Sequence, residues 1–239
     1  MNVQEEDPVL LRPRPRLIIT NTILKSLLNV LCRIDNRELM EVLSKNKSLI
    51  IAINHINFLE VPILVTHSYP FCVTGIVKSE TWKNPIAAFI FNTYRAISID
   101  RQGAYLDVFR RVREAMDRGF SICIAPEGTR SKTGILGEGK AGIIQLAHYT
   151  GAPVLPVAHF GGQQIWQNMK HLRRTPFQFK VGRPFKIKFQ GRPRREMRQE
   201  MLQEVMGQIA RLLPEEMRGF YADQAECECK HLEFIGCNA

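Results

Sequence analysis

Along the 239 residues, short apolar runs alternate with stretches of helical periodicity. Residues 48–54, 71–77, 96–99, 121–125 and 153–158 are apolar, rich in β-branched side chains and too short for most helices, which predicts strands. Between them, residues 104–118 place Leu106, Phe109, Val112, Ala115 and Met116 on one side and Arg110, Arg111, Arg113 and Glu114 elsewhere. This predicts a helix that stops at Gly119, and residues 139–150 predict another that stops at Gly151. Residues 177–189 alternate Phe177, Phe179 and Val181, then Phe185, Ile187 and Phe189, against Gln178, Lys180, Lys186 and Lys188, with Gly182, Arg183 and Pro184 between. Two strands around a turn are expected, greasy on one face and cationic on the other. Met197, Met201, Val205, Ile209 and Leu213 step by four along a closing helix, a core-facing stripe rather than a ligand box.

Ahead of these elements, Leu17, Ile23, Leu24, Leu27, Leu28, Val30, Leu31 and Ile34 recur at helical spacing, with Asn21, Lys25, Ser26, Asn29 and Arg33 on another face. The segment is amphipathic and too polar to span a bilayer. Arg12, Arg14 and Arg16 precede it and Arg33 and Arg37 close it, which suits a helix lying in a lipid interface; a helix packed on the domain core fits the pattern equally. Residues 1–16, punctuated by Pro8, Pro13 and Pro15, read as a flexible lead-in. The expected organisation is this lead-in, an interface helix over 17–37, and a main domain over 38–239. That domain is expected to be a single α/β layered unit with a central mixed sheet flanked by helices.

Composition agrees with a single packed domain, since 45% of residues are hydrophobic and 23% charged. The net charge of +10 changes the picture more, because it is local: residues 170–198 hold eleven Lys or Arg and one acid, Glu196. Such a stripe attracts an anionic membrane or an acidic carrier protein, or is simply a solvated strand face. Its aromatic residues lie on the apolar alternation, which disfavours base stacking and hence nucleic acid. Of six cysteines, Cys72 and Cys123 sit inside strand-like runs as small hydrophobes, and no leader peptide is expected. A reducing, cytoplasmic setting is expected. Cys227, Cys229, His231 and Cys237 lack the paired spacing of structural zinc sites, so no metal is expected.

Four pieces could carry chemistry. Asn54 and His55 follow directly on an apolar strand, where α/β folds expose reactive side chains, and an imidazole is the usual general base near neutral pH. Glu60 could orient it, although five residues along an ideal helix would leave the side chains about 140° apart, so a turn is needed. By spacing alone an unrelated surface histidine fits as well. The run from Ser121 to Ser131 takes a strand into Pro126, Glu127, Gly128, Thr129 and Arg130, a turn suited to an anion or to structure alone. It is not a nucleotide P-loop. Asp100 and Arg101 end a short strand before a helix, and Arg101 could bind phosphate or pair with Asp100. Residues 151–157, with Pro153 and Pro156, read as a buried edge strand.

In this order, over residues 48–160, the four pieces resemble the glycerolipid acyltransferase superfamily, which includes the 1-acylglycerol-3-phosphate acyltransferases. His55 and Glu60 resemble its His-x4-Asp motif, with Glu in place of the usual Asp. Ile99, Asp100 and Arg101 resemble the second block, residues 126–131 the third, and residues 154–157 the fourth. The resemblance implies that residues 38–239 are an acyltransferase domain in which His55 deprotonates the acceptor hydroxyl, which attacks an acyl thioester with no covalent acyl-enzyme. It also implies that Arg101, Glu127, Gly128, Thr129, Arg130 and Lys140 bind the acceptor phosphate. The implied reaction moves an acyl group from acyl-CoA or acyl carrier protein, as co-substrate rather than cofactor, to lysophosphatidic acid. Another lysolipid or lipid-linked acceptor is the alternative within this class, and a non-enzymatic binder of anionic membrane or nucleic acid the alternative outside it. The implied place is peripheral, on the inner face of a membrane.

Overall fold

The computed structural model describes residues 15–100, 105–189, 191 and 193–235. Among the described residues nine strands form one mixed sheet: β1 (Cys32–Asp35), β2 (Ile50–Ile53), β3 (Val73–Lys78), β4 (Ile97–Ile99), β5 (Ser121–Ile124), β6 (Val154–Phe160), β7 (Thr175–Val181), β8 (Phe185–Ile187) and β9 (Leu232–Phe234). Their spatial order is β1-β7-β6-β2-β5-β3-β4, with β8 on β6 and β9 on β8. β6, β2, β5, β3 and β4 run parallel, while β7 and β8 pair antiparallel with β6. Eight α-helices of the described residues cover the sheet: α1 (Pro15–Leu31), α2 (Arg37–Lys45), α3 (Glu60–His67), α4 (Pro85–Thr93), α5 (Tyr105–Asp117), α6 (Gly142–Thr150), α7 (Ile165–Lys170) and α8 (Arg195–Leu212). The layered α/β architecture matches the expectation from sequence.

Strand alternation sorts the apolar residues into two cores. Ile50 and Ala52 of β2, Ile122 of β5 and Val154 and Ala158 of β6 face α5, α6 and α8. Ile51 and Ile53, Cys123, and Leu155 and Val157 face α1, α2, α3 and Ile165 of α7. Both faces of the central strands are therefore buried, which is why they read as continuous apolar runs rather than as alternating ones. In β7 and β8 the alternation survives: Phe177, Phe179, Phe185 and Ile187 are buried, and Gln178, Lys180 and Lys186 are exposed.

Two expectations need correction. The helical periodicity of residues 17–34 ends at Leu31, and Cys32–Asp35 instead forms β1, parallel to β7 with Cys32 opposite Thr175 and Asp35 opposite Gln178. Ile34 continues the apolar spacing by coincidence, since a strand beginning mid-pattern keeps some residues in step. The two strands expected around the turn at 182–184 do form, and each pairs with β6. Finally, β6 is an interior strand, not an edge. Pro156 is tolerated there because it falls where β6 changes antiparallel partner, between Val157 opposite Val181 and Val154 opposite Phe185. Its carbonyl accepts from Gly182 N at 2.9 Å, and an added Cβ at Gly182 would come within 2.8 Å of Pro156 Cγ.

The first helix also docks by an unforeseen face. Asn21, on the polar side by its spacing, is buried and accepts from Tyr94 Oη at 2.8 Å, and Asn29 meets the buried ring of His67 at 3.1 Å. Leu17 and Leu28 join the core, whereas Ile19, Ile23, Leu27 and Val30 are all more than half exposed.

Candidate active site

Three adjacent parallel strands end side by side, and their carboxyl ends make the site, where open α/β sheets carry reactive groups. β2 runs into Asn54 and His55, β5 runs into the turn at 125–130, and β6 ends with His159 and Phe160. Asn54 fastens the first to the third: its amide donates to His159 O at 3.0 Å and accepts from His159 N at 2.8 Å, both residues being fully buried.

Between His55 and Glu60 the chain makes the required turn, and Glu60 becomes the first residue of α3. Asn57 shapes it, accepting from Leu59 N at 3.0 Å through Oδ1 and donating to Gly162 O at 2.6 Å. The Glu60 carboxylate is completely buried. Its Oε1 meets His55 Nδ1, and its Oε2 accepts from Asn57 N at 2.8 Å and Ile56 N at 3.2 Å. Oε2 also meets His159 Nε2 at 2.6 Å. A carboxylate oxygen facing Nδ1 fixes the proton there and leaves His55 Nε2 with a lone pair. Burial, followed by the positive charges of Arg130 and Lys78, pushes His55 down to about 4, so the ring is neutral at physiological pH. With a quarter of its side chain exposed, it is still reachable from solvent.

The anion-type turn lies beside it. Gly128 takes φ +67°, a left-handed conformation, and the side chain of Lys140 passes over it so closely that an added Cβ would sit 3.3 Å from Nζ. Thr129 and Arg130 are exposed and line an open groove of about 260 Å³ with Ser131 and Thr133. Ser131 N donates to His55 O at 2.7 Å, which joins the groove wall to the histidine. Glu127 faces inward. Its Oε1 accepts from His55 N at 2.6 Å and its Oε2 from Gly137 N at 2.8 Å. Burial raises it to about 7 against the opposing pull of those two amides. Gly137 allows the close approach, because a Cβ there would lie 2.9 Å from Glu127 Oε2 and push the carboxylate aside.

Of the residues singled out from sequence, His55, Glu60, Glu127, Gly128, Thr129, Arg130 and Lys140 thus gather at one sheet edge, while Arg101 lies outside the described residues. His159 is a site residue that sequence reasoning misses. The apolar run that predicts its strand ends at Ala158, and only the alternation of β6, extended by one residue, points to it.

Residues 36–159, just over half of the chain, match the family model described as Acyltransferase. The chloroplast 1-acyl-sn-glycerol-3-phosphate acyltransferase of Brassica napus is 32% identical over 116 residues, covering 47% of this chain and 33% of that protein. A protein of the same description from Pseudomonas aeruginosa is 33% identical over 94 residues, covering 38% and 37%. The chain therefore spans about a third of the length of these curated relatives. Among solved structures, the 1-acyl-sn-glycerophosphate acyltransferase of Thermotoga maritima has the same fold, with a TM-score of 0.58 at 21% identity over 92% of this chain and 86% of that one. The family model spans the histidine, the turn and the strand that closes the site, and the chain belongs to the acyltransferase family.

Proposed function

We propose that this protein transfers a fatty acyl group from an acyl thioester, of coenzyme A or acyl carrier protein, to the free hydroxyl of lysophosphatidic acid. The observation that carries this reading is the orientation of His55: Nδ1 held by a buried carboxylate, Nε2 left to accept a proton, and an open groove lined by Thr129, Arg130 and Ser131 adjoining its backbone. In the proposed step Nε2 takes the hydroxyl proton as the alkoxide oxygen attacks the thioester carbonyl. The tetrahedral adduct collapses with cleavage of the C–S bond, and the thiolate recovers the proton from the imidazolium. The names of the relatives support the acceptor, and the exposed Thr129 and Arg130 support a phosphate beside the base. Lys140 adds positive charge over Gly128, and Arg101 is proposed as a further ligand. Glu127 is proposed to hold the turn rather than touch phosphate, because both its oxygens are committed to backbone amides and have no hydrogen to offer a phosphate oxygen.

Arg130→Ala is expected to lower kcat/KM with lysophosphatidic acid about 30-fold, the loss of about 2 kcal/mol that a charge-assisted bond to phosphate carries. Steady-state kinetics measures it, and unchanged kcat/KM would remove the phosphate assignment.

We also propose a membrane surface as the place of action, on its inner, cytoplasmic face. Among the described residues no helix is long and apolar enough to cross a membrane. Ile19, Ile23, Leu27 and Val30 of α1 stand exposed, and α4, which α1 contacts, exposes Ile86 and Phe89 with Arg16 stacked 4.5 Å over the Phe89 ring. This apolar face with a cation at its border suits a lipid interface. Replacing Ile23 and Leu27 by Asp is expected to reduce co-sedimentation with anionic vesicles at least about tenfold, since two buried apolar side chains contribute about 3 kcal/mol or more. The circular dichroism spectrum should be unchanged. Equal binding of variant and wild type would assign the membrane contact elsewhere.

A further inference from the structure

Glu60 serves two imidazoles, and only that of His55 is open to solvent. His159, in β6, is fully buried and stacked on Phe177, with ring centroids 5.0 Å apart and planes within 1° of parallel. Its Nε2 lies 2.6 Å from Glu60 Oε2. A carboxylate oxygen can only accept, so Nε2 carries the ring proton. Nδ1 is buried and has no hydrogen-bond partner among the described residues. On a neutral ring that atom is a lone pair, whereas a second proton would create both an unsatisfied N–H and a charge in an apolar core. Burial accordingly pushes His159 down to about 3. The ring is therefore a constant single donor that takes no part in proton traffic.

What it donates to decides its use. The last torsion of a glutamate is broad and roughly two-fold, so the carboxylate plane is not set by rotamer preference. Three N–H groups converge on Oε2 from different directions: the amides of Ile56 and Asn57 from the turn, and His159 from the neighbouring strand. Only the last ties the carboxylate to the sheet. Asn54 bonds the His159 backbone immediately before His55, so one register places both rings on the two oxygens.

We propose that His159 is a positioning residue for acyl transfer: it pins Glu60 Oε2 to the sheet so that Oε1 faces His55 Nδ1 and Nε2 of His55 remains the proton-accepting atom. The inference rests on the reading of His55 as base. The chain of contacts runs from an uncharged donor through a buried carboxylate to the reactive ring, and it is the added reach of glutamate that spans both histidines.

The test compares His159→Phe, which keeps a ring on Phe177 and removes the donor, with His159→Gln, which keeps a donor. His159→Phe is expected to lower kcat about 30-fold with KM for lysophosphatidic acid within about twofold, the size of effect that a small misplacement of a reacting group produces. In the imidazole ¹⁵N spectrum, His55 should change from a single Nδ1–H tautomer to a mixture. His159→Gln should recover kcat to within about fivefold of wild type, and in a Glu60→Gln background His159→Phe should cost less than about threefold. A folded His159→Phe protein with wild-type kcat and a single His55 tautomer would overturn the proposal, as would an equal loss in the Glu60→Gln background. The wild-type spectrum is a check that needs no variant: at about pH 5, well above its folded value, His159 should be the neutral Nε2–H form, and the Nδ1–H form or an imidazolium would overturn the proposal. Persistent activity of His55→Ala would instead defeat the reading of the base.

Discussion

His55→Ala is expected to reduce thiol release from an acyl thioester in the presence of lysophosphatidic acid by about 10³-fold, within the range that a positioned general base contributes. The protein should stay folded, because His55 is partly exposed and the bonds of its backbone, from N to Glu127 and from O to Ser131, do not depend on the side chain. A loss confined to kcat, with melting temperature unchanged, separates lost chemistry from lost structure. The pH profile adds a second handle. Only the neutral ring can accept a proton, and its folded value lies below the ordinary 6.5 because burial and nearby cations disfavour the charged form. Activity is therefore present above the folded value and lost as pH falls through it. The acid limb of kcat/KM should lie below about pH 6.5; a limb above that value would show that the carboxylate outweighs burial.

Glu60→Gln is the second large effect. The carboxamide preserves shape but offers one oxygen and one NH₂ where two acceptor oxygens now serve His55 and His159. If the oxygen stays with the Oε2 donors, the NH₂ faces His55 Nδ1 and forces the proton to Nε2, the wrong tautomer for a base. If the amide turns, three N–H donors meet an NH₂ instead. Either arrangement removes the negative charge that stabilises the imidazolium. A fall in kcat of about 10³-fold is expected, somewhat less than the roughly 10⁴-fold that the same tautomer reversal costs in a serine protease triad. Stopped-flow measurement of thiol release gives the number, and a variant within about tenfold of wild type would remove Glu60 from the mechanism. Glu60→Asp is the gentler companion, since a shorter acid can meet one histidine more easily than two.

Much of this was legible in the chain because the central strands are short apolar runs that end in unusual residues. Asn54 and His55 after β2, and Pro126 to Arg130 after β5, are breaks in pattern that mark strand ends, and strand ends in a parallel sheet share one edge. What stayed hidden depends on contacts between distant segments. β1 is a strand only because Thr175 to Gln178 lies beside it. Asn21 turns inward because Tyr94 supplies a partner, so hydrophobic periodicity chose the wrong face for part of α1. His159 acquires its place through Glu60, 99 residues earlier in the chain. Glu127 could be placed at the turn from sequence, but its orientation toward His55 N and Gly137 N is a property of the folded loop, and that orientation is the basis for proposing it as a support of the turn.

The proposed reaction is direct acyl transfer to lysophosphatidic acid with His55 as base. The most direct test incubates wild-type protein and His55→Ala with lysophosphatidic acid and an acyl thioester, in separate reactions with coenzyme A and acyl carrier protein donors, and quantifies phosphatidic acid by mass spectrometry. Wild-type protein should form phosphatidic acid in a one-to-one ratio with released thiol from at least one donor, and His55→Ala should form almost none. Absence of phosphatidic acid with both donors, or undiminished formation by the variant, would contradict the account.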